Sequence, residues 1–228
     1  MSQKVHLYTG PHKGQRSSLY KLTIAAGKIN NIDEAKLNEF HNELTALRDE
    51  FRLHAELEEK FIHPLIRERL PGIAWRKEEE HKIQHRDFDN LVSMSELMVS
   101  KSKNLEKRNE MGLELYRALN RFIALYLTHI NEEEEFIQTG LWETCSQMEL
   151  GSAMRDIILY QKPEELRNHL EMMLSSMNQD EITGLIAAGS KIVQPEALKK
   201  IYEIGERVIE PEDWVAIKSR LEKTEPQK

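Results

Sequence analysis

Two nine-residue stretches of this chain carry a histidine and two glutamates in the same order. Residues 54–62 read HAELEEKFI and residues 129–137 read HINEEEEFI, so the pattern His-x-x-x-Glu-Glu-x-Phe-Ile occurs twice, 75 residues apart. Imidazole nitrogens and carboxylate oxygens bind iron, manganese and zinc in proteins. The repeat therefore suggests a metal site, with two charged helix surfaces as the simpler alternative.

Helical spacing separates the two glutamates of each stretch. A helix turns by about 100° per residue, so residues three, four, seven and eleven positions apart share a face. The histidine and the first glutamate fall within an apolar face. Glu59 and Glu134 point away and are predicted to be solvated, with contact to a ligand histidine as the alternative. The apolar residues on these faces are Leu47, Phe51, Phe61 and Leu65 beside His54, and Phe122, Leu125, Tyr126, Phe136 and Ile137 beside His129.

Two other predicted helices carry histidines within apolar faces. His81 and His85 lie one turn apart and precede Phe88 on the same face, and His12 begins a face that continues with Leu19. A buried carboxylate costs free energy unless a cation neutralises it, and the nearby basic residues mostly lie on other faces. A metal accounts for the carboxylates and the imidazoles together. The predicted metal ligands are His12, His54, Glu58, His81, His85, His129 and Glu133.

The ligand set narrows the kind of metal site. A ferritin-type carboxylate site requires Glu-x-x-His on two helices, and this chain has one such motif, Glu78-x-x-His81. A structural zinc site uses about four ligands, usually including cysteine. Seven ligands without a cysteine favour a pair of iron or manganese ions.

The elements that must position these ligands are predicted to be long helices. Helices are expected over residues 11–28, 33–69, 73–100 and 108–139, with Pro64 disturbing the second and a turn at 101–107. No segment has the alternation of a β-strand. The predicted fold is all-α: an up-down-up-down four-helix bundle over residues 1–140, in which helices two and four are parallel. Residues 141–228 are predicted to form a C-terminal helical extension packed on or beside the bundle.

Composition argues against several classes of partner. The chain has 228 residues, a net charge of −7, one cysteine and no sustained basic run, so nucleic acid and membrane partners are not expected. Its apolar runs are too short to cross a bilayer, and residues 1–10 have no secretory apolar segment. A single cysteine suits a reducing compartment. We therefore expect a cytoplasmic location.

The order of the seven predicted ligands resembles the hemerythrin-like (HHE cation-binding) family. That family has a histidine on helix one, His-x-x-x-Glu on helix two, His-x-x-x-His on helix three and His-x-x-x-Glu or His-x-x-x-Asp near the end of helix four. The matching residues here are His12, His54 and Glu58, His81 and His85, and His129 and Glu133. The resemblance covers about residues 8–140. Oxygen-carrying hemerythrins have a longer final spacing and shorter chains.

The resemblance implies two non-haem iron ions, with iron preferred over manganese. Glu58 and Glu133 would bridge the ions together with an oxo or hydroxo group, while His12 and His54 would hold the iron that has fewer histidines. His81, His85 and His129 would complete the other iron. Five imidazoles, two bridging carboxylates and one bridging oxygen fill eleven of the twelve positions of two six-coordinate irons. One open position would bind O₂, peroxide or NO in a pocket kept dry by Phe51, Phe61, Leu65 and Phe136.

Three functional hypotheses follow. The first is a di-iron protein that binds a diatomic molecule or peroxide, with or without turnover. The second is an iron-storage or iron/oxygen-sensing protein without turnover, since residues 141–228 could respond to the metal. The third is a helical protein with a vestigial site. A protein partner is not identified by the sequence.

The remaining polar residues have simpler interpretations. His63 lies nine residues after His54, on the opposite face of an uninterrupted helix, and is expected to be solvated or to lie between helices. The acidic runs 78–80 and 132–135 are expected to be mostly exposed. Tyr20 and Tyr126 suit core packing or a hydrogen bond to a ligand. His6, His41 and His169 are expected at the surface, and Cys145 is expected to be structural.

Overall fold

The regular elements of this chain are helices. The computed structural model describes residues 4–29, 34–101 and 105–224, and these ranges contain no β-strand. The predicted all-α class is confirmed. The α-helices are α1 (Thr9–Gly27), α2 (Glu34–Leu57), α3 (His63–Arg69), α4 (Ile73–Lys101), α5 (Leu105–Glu132), α6 (Gln138–Thr144), α7 (Gln147–Tyr160), α8 (Pro163–Leu174), α9 (Gln179–Gly189), α10 (Pro195–Val208) and α11 (Pro211–Thr224).

Two π-helical turns interrupt the long helical segments at equivalent places in the repeat. Glu58–Ile62 joins α2 to α3, and Glu133–Ile137 joins α5 to α6. The backbone N–H of His63 donates to the carbonyl of Glu58, and that of Gln138 donates to the carbonyl of Glu133. These are the i to i+5 bonds of a π turn. The additional residue rotates everything that follows by about 100° relative to an uninterrupted α-helix.

The predicted helix boundaries agree with the structure to within a few residues, with one extension. The disturbance expected at Pro64 takes the form of the π turn before α3, and Pro64 lies in the first turn of α3, where a missing N–H costs no intrahelical bond. The helical path after α5 continues to Thr144, beyond the predicted end at 139. The predicted helix start near Asp33 and residues 102–104 of the predicted turn lie outside the described ranges.

The chain forms two compact units. The first unit is Arg16–Gln147, and the second unit combines Met1–Gln15 with Met148–Lys228. The first unit contains most of α1 and all of α2 to α6. The second unit contains the start of α1, helix α7 from Met148 onward, and helices α8 to α11.

Helix α4 lies antiparallel to α2 in the first unit. Arg52 of α2 donates to Asp89 of α4 at 2.6 Å, and Glu59, after α2, accepts from His81 of α4 at 2.9 Å. Residue numbers along one helix therefore rise as those along the other fall. A three-residue connection, residues 70–72, is short enough to require this antiparallel arrangement.

Helix α5 lies antiparallel to α4 and parallel to α2. The rings of Phe122 and Phe88 are 4.9 Å apart, and those of His129 and His81 are 5.0 Å apart. Between α2 and α5, contacting residues instead rise together along both helices. These α2–α5 pairs are Glu34 with Arg108 and Phe51 with Tyr126.

The part of α1 in the first unit lies antiparallel to α5. Arg16 donates to Asn131 at 2.7 Å and to Glu134 at 2.6 Å, while Gly27, three turns later, lies against the ring of Tyr116. The directions of α1, α2, α4 and α5 within the first unit follow from these pairs. The two matching sequence stretches lie on the parallel helices α2 and α5.

The second unit has an apolar core of its own. The core residues are Leu170, Leu174, Ile182, Ile186, Ile201, Ile204, Ile209, Trp214, Ile217 and Leu221. An ion pair of 2.6 Å between Lys13 and Glu181 attaches the start of α1 to α9. Throughout the described ranges, each helix is too short or too polar to span a bilayer.

Candidate metal centre

Each His-x-x-x-Glu pair of the repeat forms a direct contact along one helical segment. His54 Nε2 lies 2.9 Å from Glu58 Oε1, and His129 Nε2 lies 3.0 Å from Glu133 Oε1. The spacing of four residues stacks the two side chains on one face. All four are buried. Both pairs therefore lie on buried helical faces, as the sequence predicts.

Helix α4 adds His81 to the two pairs. His81 Nε2 lies 3.3 Å from Glu58 Oε2, and its ring lies edge-on to that of His129. One ligand-type atom from each of Glu58, His81, His129 and Glu133 lies within 4.8 Å of the other three. Two carboxylates from parallel helical segments and two imidazoles thus converge at one buried place.

Carboxylates outside the cluster orient two of its imidazoles. Glu59 accepts from His81 Nδ1 at 2.9 Å, and Glu80 accepts from His129 Nδ1 at 2.7 Å. A carboxylate on Nδ1 fixes the tautomer whose Nε2 lone pair can bind a metal. Of the two alternatives for Glu59, solvation or contact with a ligand histidine, the structure has the contact, although the side chain stays 40% exposed. Glu80 belongs to an acidic run that was expected to be mostly exposed, and it is partly buried.

A fully buried lysine completes the outer contacts around His129. Lys77 Nζ donates to Glu80 at 2.9 Å and to Glu132 at 3.0 Å, and it lies 3.3 Å from the backbone carbonyl of His129. Glu80 is therefore held between a cation and an imidazole. After the unfavourable effect of burial, the bonds from His129 and Lys77 lower the pKa of Glu80 to about 2.

The π turns change which side chains face inward. His63 is 1% exposed, whereas Phe136 is 69% exposed. The sequence predicts Phe136 in the pocket wall, because it assumes uninterrupted α-helical spacing, and that prediction is wrong. For His63 the sequence allows a solvated or an interhelical position, and the structure has the interhelical one, beside His81 of α4. Ile62 and Ile137 are buried in the two π turns.

Leu125 was also predicted to lie on the buried face of its helix, and this prediction is wrong. It is 65% exposed. Leu125 lies about 100° around α5 from Tyr126, which is buried, so it falls at the edge of the covered sector. The buried sector of α5 is therefore narrower than the run of apolar residues suggests.

A small cavity borders the imidazoles in the first unit. Its free volume is about 10 Å³, close to the space that one water molecule needs. The predicted wall residue Phe51 lines it, but Phe88 and Tyr126 stand where Phe61, Leu65 and Phe136 were expected. The lining residues are Arg48, Phe51, Arg52, His54, Ala55, His81, Gln84, His85, Phe88, Tyr126 and His129.

Stacked aromatic rings form the apolar side of this cavity. Phe51 stacks on Tyr126 at 4.5 Å and meets Phe88 edge-on at 5.3 Å, and Tyr126 lies 6.0 Å from His129. Burial raises the pKa of the Tyr126 hydroxyl, which therefore stays protonated. An apolar layer of this kind restricts water beside the imidazoles. Tyr20, in contrast, is 51% exposed.

Two further predicted ligands are not among the four converging residues. His85 lines the cavity but is half-buried, and it also lines an open recess with Arg52, Glu56, Glu59 and Lys60. His12 is fully buried, with its ring 5.5 Å from that of Tyr8. It belongs to the segment 1–15 of the second unit.

The other histidines have ordinary polar partners. His41 Nδ1 lies 2.7 Å from Ser95 Oγ, and His169 Nδ1 lies 3.0 Å from Gln161 Oε1. The prediction of a surface position is wrong for His169, which is 6% exposed, because α8 turns this residue towards the interior beside Leu170. Cys145 is buried and reduced, in keeping with a structural role.

The charges of the buried glutamates dominate the electrostatics of the cluster. Burial by itself lowers the pKa of His81, but hydrogen bonds to Glu58 and Glu59 outweigh it and raise that pKa to about 10. Burial also lowers the pKa of His129, but the Glu133 carboxylate and the contact with Glu80 outweigh it, so that this pKa too is raised. The site therefore attracts positive charge. Protons supply that charge in the metal-free protein.

The donor set fits a metal cation. Nitrogen and carboxylate ligands of this kind suit iron, manganese and zinc. The atoms converge, they are buried, and the outward nitrogens of His81 and His129 are already hydrogen-bonded to carboxylates. Helical spacing placed Glu58, His81, His129 and Glu133 on buried faces, as the structure has them. It assigned no place beside the cluster to Glu80, for which the available signal was its position directly before His81.

Comparison with known proteins identifies a domain over the N-terminal part of the chain. The hemerythrin HHE cation-binding domain family matches residues 3–139. Domains of this family bind metal cations, as its description states. The match includes all seven predicted ligands.

Curated relatives extend the similarity beyond that domain. F-box/LRR-repeat protein 5 of Xenopus laevis is 23% identical over 224 residues, covering 87% of this chain and 31% of its own length. The proteins of the same name from Mus musculus and Danio rerio are 24% and 27% identical, covering 78% and 68% of this chain and 25% and 22% of their own lengths. The chain therefore spans less than a third of each relative, and the Xenopus match includes part of the C-terminal helices.

The raised pKa of His81 predicts how the metal-free protein responds to pH. Because the pKa in the folded protein is about 10, above the ordinary 6.5, the bound proton stabilises the fold fully below pH 6.5. That stabilisation is lost as the pH rises through 10. Urea unfolding with a chelator present, from pH 6 to pH 10, should show this decline in wild type and in H41Q. The decline should be shallower in H81Q, and equal slopes for H81Q and wild type would contradict the assignment.

Proposed function

This chain belongs to the hemerythrin HHE cation-binding domain family, and on that premise we propose that it is a non-haem di-iron protein that binds a small ligand. O₂, peroxide and NO are the candidate ligands. The observation that carries the proposal is the convergence of Glu58, His81, His129 and Glu133 within 4.8 Å, fully buried. Iron would supply a redox-active ion with one open coordination position.

Each ligand residue has a proposed task. As the family resemblance implies, Glu58 and Glu133 would bridge the two ions, together with an oxo or hydroxo group. His81, His85 and His129 would hold one ion, and His12 and His54 would hold the other. The assignments of His12 and His85 rest on the order of the family motif, and those of the remaining five are supported by their short mutual contacts.

The proposed scaffold is an up-down-up-down four-helix bundle. The antiparallel contacts of α4 with α2 and α5, and of α1 with α5, support that topology within the first unit. The parallel direction of α2 and α5 supports a shared site for the two halves of the repeat. The division into a bundle over residues 1–140 and an extension over 141–228 stays a prediction.

The surroundings of the site favour a small ligand. A cavity of about 10 Å³ has room for one water-sized molecule, and the rings of Phe51, Phe88 and Tyr126 limit bulk water. Hydrogen-bonded carboxylates keep His81 and His129 oriented before a ligand arrives. Nucleic acid and membranes are not proposed as partners, and the single buried cysteine supports the proposal of a cytoplasmic location.

Metal content tests the proposed ligands. Wild-type protein loaded with iron(II) under anaerobic conditions should retain about two irons per chain, as the two-ion proposal requires. E58Q and E133Q should weaken iron binding by at least roughly 100-fold, because each removes a bridging charge. E135Q, an exposed glutamate of the same π turn, is the matched control and should retain iron. One zinc per chain in wild type, or full iron content in both variants, would refute the di-iron proposal.

Ligand binding tests the cavity separately from the metal. Azide and NO should change the near-ultraviolet and visible absorption of the iron-loaded wild type. A55L should fill the cavity, since Ala55 is buried and lines it, and should weaken azide binding by roughly tenfold or more, equal to about 1.4 kcal/mol. Its iron content should be unchanged. A124L, on the exposed side of α5, should bind azide like wild type. Equal azide affinity in A55L would exclude this cavity as the ligand site.

A second candidate function is iron or oxygen sensing without turnover, or iron storage. The observation that favours it is the extent of the similarity to F-box/LRR-repeat protein 5, which passes beyond residue 139 and involves a longer protein in each case. In this alternative, the metal state of the first unit alters the second unit.

Limited proteolysis separates this alternative from ligand binding alone. If the chain is a sensor, iron loading should change the cleavage rate at sites within residues 148–224 by several-fold. The iron-deficient variant E133Q should keep the iron-free pattern under both conditions. Indistinguishable digestion of wild type with and without iron would eliminate the sensing function.

A further inference from the structure

His63 has the surroundings of a metal-site histidine, although it is absent from the seven-residue ligand pattern. Its side chain is 1% exposed, and its ring lies parallel to that of His81 at 5.6 Å. The π turn accounts for this position. The i to i+5 bond from His63 to Glu58 places His63 one π turn after a proposed bridging carboxylate.

The hydrogen bonding of His63 repeats that of two proposed ligands. His63 Nδ1 lies 3.4 Å from Glu78 Oε1, as His81 Nδ1 contacts Glu59 and His129 Nδ1 contacts Glu80. Arg67 also donates to Glu78, so this carboxylate is held in place. A carboxylate facing Nδ1 keeps the imidazole proton on that nitrogen. Nε2 of His63 then carries a lone pair.

That second nitrogen faces away from Glu78 and into the unit. His63 Nε2 is buried and has no hydrogen-bond partner among the residues that the structure describes. Buried acceptors in proteins are generally satisfied by a donor. Beside a cluster of carboxylates and imidazoles, a donor small enough to reach Nε2 is a water or hydroxide held by the metal ions.

We propose that His63 is a positioning residue of the metal centre, whose Nε2 accepts a hydrogen bond from a water or hydroxide held there beside His81. The inference rests on the proposed di-metal function and adds a residue to it. The repeat supports a polar role at this position. Gln138 is the equivalent residue after Glu133, and it too is 1% exposed.

The two halves of the repeat therefore differ in the residue that lies five positions after each proposed bridging glutamate. An imidazole stands on the Glu58 side and an amide on the Glu133 side. The proposed hydrogen bond to a water or hydroxide therefore belongs to the side of Glu58 and His81.

Metal titration tests the role of His63 without any measurement of turnover. Cobalt(II) and iron(II) are titrated against a competing chelator into wild type, H63F, H63Q and E78A. H63F keeps the aromatic ring but removes both nitrogens, and should weaken binding of both metals by roughly 10- to 100-fold. H63Q, which restores a hydrogen-bonding group as at Gln138, should remain within about threefold of wild type.

The cobalt(II) visible spectrum gives a readout that a purely structural role would not change. H63F should shift the d–d bands relative to wild type, and H63Q should restore them. E78A should weaken metal binding by roughly threefold to tenfold by freeing the imidazole to rotate. Its matched control, E79A, alters a neighbouring glutamate that pairs with Lys82 on the surface and should bind like wild type.

The outcomes distinguish this inference from the proposed function. If wild type binds neither cobalt(II) nor iron(II), the proposed function fails and the role of His63 fails with it. If wild type binds metal and both H63F and E78A bind equally well with unchanged spectra, the role of His63 alone is refuted. Equal losses in H63F and H63Q would also refute it, since the hydrogen bond would then not matter. Far-UV circular dichroism establishes folding, and E78A decides the question if H63F does not fold.

Discussion

Two glutamates buried next to each other constrain the rest of the first unit. Glu58 and Glu133 are 2% and 0% exposed, and a buried carboxylate is tolerated in a protein interior only when positive charge or hydrogen bonds compensate it. The imidazoles of His54, His81 and His129 face these carboxylates at 2.9 to 3.3 Å. In the metal-free protein these imidazoles bind protons that balance the carboxylates, and the same groups are suited to hold metal cations.

Further charged residues surround the imidazoles that face the two buried glutamates. His81 and His129 reach the carboxylates with one nitrogen and are oriented on the other by Glu59 and Glu80. Lys77, buried between α4 and α5, offsets the additional negative charge. The imidazoles thus offset the charge of the buried glutamates, Glu59 and Glu80 offset that of the imidazoles, and Lys77 offsets that of Glu80. A centre assembled in this way has little freedom to rearrange, because a rotated imidazole would leave a carboxylate without its partner.

The sequence predicted much of this centre because helical geometry is local. His54 with Glu58 and His129 with Glu133 are i, i+4 pairs, and their contact needs nothing beyond an α-helix up to that point. The apolar stripes also predicted that both pairs are buried. The same reasoning failed beyond each glutamate, where a π turn rotates the following residues by about 100°. Phe136 is consequently exposed where a pocket wall was expected, and His63 is buried beside His81 of α4.

The sequence by itself determined the helical class, the parallel repeat and the identity of the residues that can bind a metal, since all of these follow from spacing along single helices and from donor chemistry. Tertiary structure decided which other residues contact these candidate ligands. The contacts of Glu59 and Glu80 with imidazoles, and the burial of His63, depend on the register between α2, α4 and α5. That register is set by packing between segments distant in sequence, and the two π turns rotate the residues that follow Glu58 and Glu133.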